Sequence, residues 1–280
     1  MAKMLRVSKK TPCPACGKDS WCLIGEKATL CMRVASEKPY TLKNSGELGY
    51  WHENDKTVIR PPMPKQKEPP RVDANKLIGI WKKGCGIHRL EPLAEDLGVS
   101  VDSLVQMMAV WAPGYEAWAF PMRDGNGFMC GIRLRRDDGS KFCVTGSRTG
   151  IFLPFCQPRN TVFLVEGPTD CAALLTIGLY AIGRPSNSGG LDIIKQTISR
   201  LRIERAVIIA DNDQDQEAKD GRKFNPGYDG AQSLARNLMV PCCVMALPCK
   251  DAREFVSNGG TREMLENQLD NMMWENHYSP

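Results

Sequence analysis

A chain of 280 residues, 42% hydrophobic and 25% charged, has the composition of a globular protein and the length for two or three domains. Its net charge of +5 permits contact with nucleic acid without requiring it. The N-terminal residues carry no apolar stretch of signal-peptide length, and no run of about 18 apolar residues occurs, so the composition points to the cytoplasm and away from membranes.

Twelve cysteines in a reducing compartment argue against a disulfide framework. Cys130, Cys143, Cys171, Cys242 and Cys243 lie in apolar runs and are expected to be small buried hydrophobes. The N-terminal cysteines are patterned differently. Cys13-Pro-Ala-Cys16 is followed by Cys22 and Cys31, giving the spacing C-x2-C-x5-C-x8-C. A C-x2-C knuckle places two thiolates on one ion, and tetrahedral zinc needs four ligands. Trp21–Gly25 and Thr29–Cys31 read as a hairpin with Gly25-Glu-Lys at its tip, the layout of a zinc ribbon. Cys22 is the simple choice for the remaining ligand, and His52, placed after the ribbon, is the alternative.

Ile59–Arg71 holds five prolines among charged residues and cannot nucleate a helix or a central strand, which makes it a linker. From Val72 to about Met108 the period is helical: Leu77, Ile78 and Trp81 share a face, as do Leu90, Leu93, Ala94 and Leu97. Gly98 ends one helix and Ser100 caps the next. Leu93–Leu104 has the outline of a helix-turn-helix, but the apolar helix that follows lacks recognition side chains, so the segment reads as structural. The period then drops to two. Ala117–Met122, Phe128–Arg135 and Lys141–Thr145 are predicted strands, separated by turns at Asp124–Gly127 and Asp137–Ser140. Trp21, Trp51 and Trp118 are expected to pack in cores rather than stack on bases.

Beyond Pro158 strands and helices alternate. Thr161–Val165 is a near-continuous apolar run and Ala206–Ala210 is apolar throughout, as expected of strands covered on both faces. Helices near 169–177, 191–201 and 229–238, strands near 180–182 and 242–246, and C-terminal helices complete a doubly wound α/β pattern. Gly183–Gly190, ahead of a helix, is either a phosphate-binding loop or a plain connection.

The chemistry sits where the two apolar strands stop. The first runs into Glu166-Gly-Pro-Thr-Asp170 and the second into Asp211-Asn-Asp213. In an open parallel sheet the carboxyl ends of strands form the working edge, so Glu166, Asp211 and Asp213 converge if the strands are neighbours. Clustered carboxylates repel one another until cations neutralise them, and one or two Mg²⁺ ions are the natural occupants.

A strand ending in Glu-Gly-x-x-Asp and a later one ending in Asp-x-Asp resemble the Toprim signature. Leu247–Phe255 is similar to the Lys-Asp-Ala element of phage primase–helicase proteins, and Ala119–Asp124 with Gly131–Arg133 resembles the basic subdomain preceding Toprim in primases. The resemblance, zinc ribbon included, is to DnaG-type and phage-type DNA primases. It implies a zinc ribbon over 1–52, a linker over 53–71, a basic α+β subdomain over 72–158, a Toprim domain over 159–258 and a C-terminal helix over 259–280. It implies Glu166, Asp211 and Asp213 as holders of Mg²⁺ or Mn²⁺, with Asp170 and Asp251 supporting. Arg123, Arg133, Arg135, Lys141, Arg148 and Lys250 then face phosphates of template, primer or nucleotide. The implied reaction is primer synthesis on single-stranded DNA from NTPs, with structural zinc. No G-x-x-x-x-G-K-[ST] occurs, so a replicative helicase would be a separate partner. The chain departs from the pattern in three places: Cys31 begins no second C-x2-C, Gln214–Tyr228 is a long polar insertion, and Arg253 stands where some primases carry an acid. A Toprim nuclease and a catalytically silent nucleic-acid-binding protein are the alternatives.

Overall fold

The computed structural model describes residues 4–42, 47–54, 70–187, 189–217 and 223–275. The chain divides into two compact units, Met1–Lys67 and Glu68–Pro280. Most of the proline-rich segment expected as a linker lies outside the described residues.

The first unit is a small antiparallel sheet. Its strands are β1 (Leu5–Arg6), β2 (Leu23–Ile24), β3 (Ala28–Cys31), β4 (Pro39–Thr41) and β5 (Leu48–Glu53), ordered β1-β2-β3-β5-β4. The β2–β3 hairpin pairs Leu23 with Leu30, as the sequence predicts. His52 does not follow the ribbon but belongs to it, paired with Thr29 across β3 and β5. The cluster of Val7, Cys13, Cys22, Ile24 and Cys31 is too small to hold such a unit by apolar burial alone. Trp21 corrects the expectation of core packing: it is 67% exposed, with φ at 72°. Cys22 turns wholly inward, so the side chain before it is left outside.

The second unit starts with three helices, α1 (Ala74–Lys83), α2 (Glu91–Leu97) and α3 (Val101–Gln106). Asp73 caps α1, Gly98 closes α2 in the left-handed region, and Ser100 caps α3 by accepting from Ser103 N–H. The helical pattern stops at Gln106, short of the expected Met108, because Met108 is left-handed (φ 55°) and Val110 enters a strand. That strand, β6 (Val110–Ala112), joins β7 (Ala117–Arg123), β8 (Met129–Arg135) and β9 (Lys141–Cys143) in an antiparallel sheet ordered β6-β7-β8-β9. One face packs on α1 through Ile78, Ala119, Ile132 and Leu134; the other joins the large core through Trp118, Phe120 and Met122.

A parallel sheet follows, built from β10 (Thr161–Glu166), α4 (Pro168–Thr176), β11 (Ala181–Arg184), α5 (Leu191–Leu201) and β12 (Arg205–Ala210). A short hairpin, β13 (Gln216–Glu217) and β14 (Lys223–Phe224), occupies the polar insertion. Then come α6 (Pro226–Ala235), β15 (Cys242–Ala246), α7 (Ala252–Ser257) and α8 (Arg262–Asp270). The sheet order is β11-β10-β12-β15, so the two acid-tipped strands are adjacent. Val162, Leu164, Ala206 and Ile208 face α5 and α6, while Phe163, Val165, Val207 and Ile209 face α4 and α7. Full burial of each such aliphatic side chain contributes about 1.5–3 kcal/mol, which is why both strands are wholly apolar from Val162 to Val165 and from Ala206 to Ala210. Helix α6 begins at Pro226, ahead of the expected 229, because Asn225 accepts from Tyr228 N–H and caps it. Cys130, Cys171, Cys242 and Cys243 are buried as expected, but Cys143 is exposed. On the short edge strand β9, Phe142 takes the inward position and alternation turns Cys143 outward.

Candidate functional site

Two constellations were expected, and each lies in its own unit. In the first, Cys13, Cys16, Cys22 and Cys31 bring their sulfur atoms within 4.8 Å of one another. Cys22 Sγ stands 3.7 Å from Cys16 Sγ and 3.9 Å from Cys31 Sγ. His52 is turned elsewhere, its Nε2 3.0 Å from the Val34 carbonyl oxygen. Backbone N–H groups of Met32 and Val34 point at Cys22 and Cys31 over 3.4 and 3.3 Å, and Arg33 Nη1 lies 3.7 Å from Cys22 Sγ. Burial pushes the Cys13 thiol up to about 12. Burial acts the same way on Cys16, but the Lys18 N–H and the neighbouring thiols outweigh it and bring Cys16 down to about 7. Four thiols with inward N–H donors form a set that could hold a tetrahedral soft cation.

The second constellation forms at the carboxyl edge of the parallel sheet. Glu166 is the last residue of β10, and Gly167, at φ 88°, turns the chain off the strand so that α4 starts at once. Asp170 is thereby placed in the first turn of α4, 6% exposed, accepting from Arg253 N–H at 3.1 Å. Asp211 follows β12 directly, and Gly227 lies against it so closely that a Cβ there would collide with the Asp211 carbonyl. Asp251 caps α7, accepting from Glu254 N–H at 2.7 Å, and the Lys250 carbonyl accepts from Asn212 N–H at 2.7 Å. These bonds tie the turn after β15 to the loop after β12.

The electrostatics show the acids acting on one another. Burial, then the charges of Asp170, Glu166 and Asp251, push the Asp211 carboxyl up to about 8, against a smaller pull from Arg184. Burial and Asp251 push Asp170 up to about 7, opposed by the Arg253 N–H and by Lys141. Three of the five expected acids, Glu166, Asp170 and Asp251, thus act on a fourth, Asp211. Asp213 lies further along the loop, its carbonyl accepting from Asn225 Nδ2 at 2.6 Å. Among the described residues, no three carboxylates have oxygen atoms as closely gathered as the thiols. The acids are gathered more loosely than the thiols, which suits a hard cation that keeps part of its water shell.

The expected basic residues separate into groups. Arg133 and Arg148 line a cavity of about 250 Å³ with Met122, Cys143, Pro185 and Ser186. Arg133 donates from Nη2 to the Pro185 carbonyl at 3.2 Å and lies over the Phe152 ring. Lys141 is exposed on β9 and its charge reaches Asp170. Lys250 is exposed beside Asp251. Arg135 shares the β8 face of Arg133 but stands 3.7 Å from Asp96. Arg123 is engaged by its own hairpin and by the turn before β6, with Nη1 on the Gly127 carbonyl and Nη2 on Met108 Sδ.

One site residue was not foreseen. Arg184, paired in register with Glu166, is 1% exposed, and its charge acts on Asp211. An Arg-Pro pair ending a short apolar stretch reads as a loop, and only the neighbouring strand shows it to be buried.

No protein-family profile matches the chain, and no curated protein matches it. Solved structures do. The primase of Aquifex aeolicus (zinc-binding and RNA polymerase domains) aligns with TM-score 0.55 at 15% identity, covering 72% of this chain and 60% of that one. The E. coli primase catalytic core aligns with TM-score 0.53 at 16% identity, covering 72% and 81%. The primase fragment of the bacteriophage T7 primase-helicase protein aligns with TM-score 0.50 at 17% identity over 94% of this chain and 99% of that one. At such identity the likeness defines the fold. The chain has the fold of DnaG-type and phage-type primase cores, with a four-cysteine cluster in the unit before it.

Proposed function

We propose that the chain is a DNA primase that synthesises short RNA primers on single-stranded DNA, and that its parallel-sheet domain is of the Toprim type. The observation that carries this reading is the meeting of Glu166, Asp170, Asp211 and Asp251 at the carboxyl edge of a primase-core fold. Buried carboxylates pushed up to about 7 and 8 form a donor set that gains most from a divalent cation. Glu166, Asp211 and Asp213 would hold Mg²⁺ or Mn²⁺, with Asp170 and Asp251 behind them. Bound there, such ions polarise phosphate oxygens and lower the pKa of a nucleotide 3′-hydroxyl.

The chain's own residues supply placement. Lys141 offers positive charge to the acid basin, and Arg133 and Arg148 offer it in the cavity they line; all three are suited to phosphates of an incoming NTP or of the template backbone. Lys250 is suited to the same task from the other rim. Arg123 and Arg135, held by Gly127 and Asp96, shape the sheet that presents the others. The four thiols would bind zinc structurally, holding together a unit whose apolar cluster is small. Residues 1–52 would read the template, 72–158 track phosphates and 159–258 carry the acids, with 53–71 linking them and 259–280 closing the chain. Among the described residues no helix is long and apolar enough to cross a membrane, in keeping with a proposed cytoplasmic site of action. A separate replicative helicase is the proposed partner.

The test is primer synthesis on single-stranded DNA with labelled NTPs and Mg²⁺ or Mn²⁺, comparing the native chain with Asp211→Ala. Template-dependent RNA products lost in the variant support the reading. Shortening of the template would assign the same acids to a nuclease.

A further inference from the structure

Arg184 ends β11 on the face covered by α5 and α6, and its side chain is 1% exposed. Its Nη1 donates to the Asn187 carbonyl at 2.8 Å, while Nε and Nη2 are buried without a partner among the described residues. Neither Glu166 nor Asp211 stands within ion-pair distance; both act on it only from further away. Buried donors left unpaired are rare, and a charged one more so, because desolvation is uncompensated.

The same residue lines a cavity of about 100 Å³ with Asn187, Gly189, Leu191, Ser233 and Asn237. Asn187 is held through Nδ2 on the Pro226 carbonyl, and its Oδ1 is also buried and unpartnered. Helix α5, 11 residues long, opens in the same wall behind Gly190, with no side chain capping it. Its first N–H groups and positive dipole end favour an anion. Ser233 on α6 and Asn237 just beyond it are exposed and leave a mouth to solvent.

We propose that this cavity is a subsite for one phosphate group. Arg184 Nε and Nη2 and the first amides of α5 would donate to its oxygens, and Asn187 Oδ1 would accept the proton of a monoprotonated phosphate. The volume suits a single tetrahedral oxyanion. The subsite stands whether or not the acid basin is a polymerase site. The phosphate is either free or the terminal monoester of a nucleic-acid chain, which present the same chemistry.

The experiment is calorimetric titration of the full chain in chelator with inorganic phosphate, then with sulfate, which carries no proton near neutral pH. Saturable one-to-one phosphate binding is expected, weakened about tenfold or more by Arg184→Met, with sulfate weaker than phosphate. Ser233→Met blocks the mouth at an exposed helix position without changing charge, and the same loss is expected there. It decides the matter should Arg184→Met fail to fold by circular dichroism. No saturable binding by the native chain, or full binding by Ser233→Met, overturns the subsite. Sulfate binding as tightly as phosphate overturns the role of Asn187. Competition by a 5′-phosphorylated but not a 5′-hydroxyl trinucleotide assigns the terminal phosphate; competition by neither assigns the free anion.

Discussion

At the scale of single residues, the acid basin stores repulsion that pH and metal should reveal. Asp170 and Asp211, pushed up to about 7 and about 8 from an ordinary 3.8, keep protons in the folded chain that the unfolded chain releases above about pH 4. The folded state therefore binds more protons between about pH 4 and 8, and stability falls as pH rises through that window. The melting temperature of the metal-free protein is expected to be lower near pH 8 than near pH 5.5, and millimolar Mg²⁺ should flatten the difference. Asp211→Asn removes one of the repelling charges. It should raise the metal-free melting temperature near pH 8 while lowering primer synthesis about a hundredfold or more, as loss of a group that holds the reacting charge does. A variant that loses stability as well as activity would count against repulsion as the cause. Gly227→Ala tests the geometry independently of charge. Its Cβ must displace the Asp211 carbonyl, so synthesis should fall while far-ultraviolet circular dichroism stays near native.

At the scale of elements, α3 shows how a short helix is held. Ser100 accepts from Ser103 N–H at 3.1 Å, and its own N–H donates to Thr176 Oγ1 at 2.8 Å, joining α3 to the end of α4. Ser100→Ala should cost about 1 kcal/mol by denaturant titration, the usual worth of an N-cap. For the first unit the thiols are the proposed support. If the four thiols hold the proposed zinc, Cys22→Ser, which removes the thiol that lies between Cys16 and Cys31, should abolish zinc binding by elemental analysis, with proteolysis confined to Met1–Lys67. Elements whose pattern suffices for identification were legible. Thr161–Val165 and Ala206–Ala210 could be nothing but doubly covered strands, and the β2–β3 hairpin followed from its apolar positions and glycine tip. Elements made by pairing were not. Val110–Ala112 and Leu48–Glu53 are strands because β7 and β3 lie beside them. Trp21 could not be placed until the inward turn of Cys22 was known.

At the scale of the whole molecule, the antiparallel and parallel sheets of the second unit share one core, in which Trp118 and Phe120 join Phe163 and Val165. That continuity predicts that residues 68–280 alone melt in a single cooperative transition by calorimetry, with two separated transitions as the contrary result. The sequence by itself determined the alternation of strands and helices beyond Pro158, the thiol spacing and the carboxylates at the ends of two apolar strands. These are properties of local pattern, because side-chain periodicity and strand burial are written residue by residue. Tertiary structure alone decided which acids meet, which arginines are spent on carbonyls and Asp96, and that Arg184 is sealed beside Glu166. Those outcomes depend on strand order and on the approach of α6 and α7, contacts between residues far apart in the chain. Burial and the Coulomb interactions that follow from it exist only once those residues are brought together.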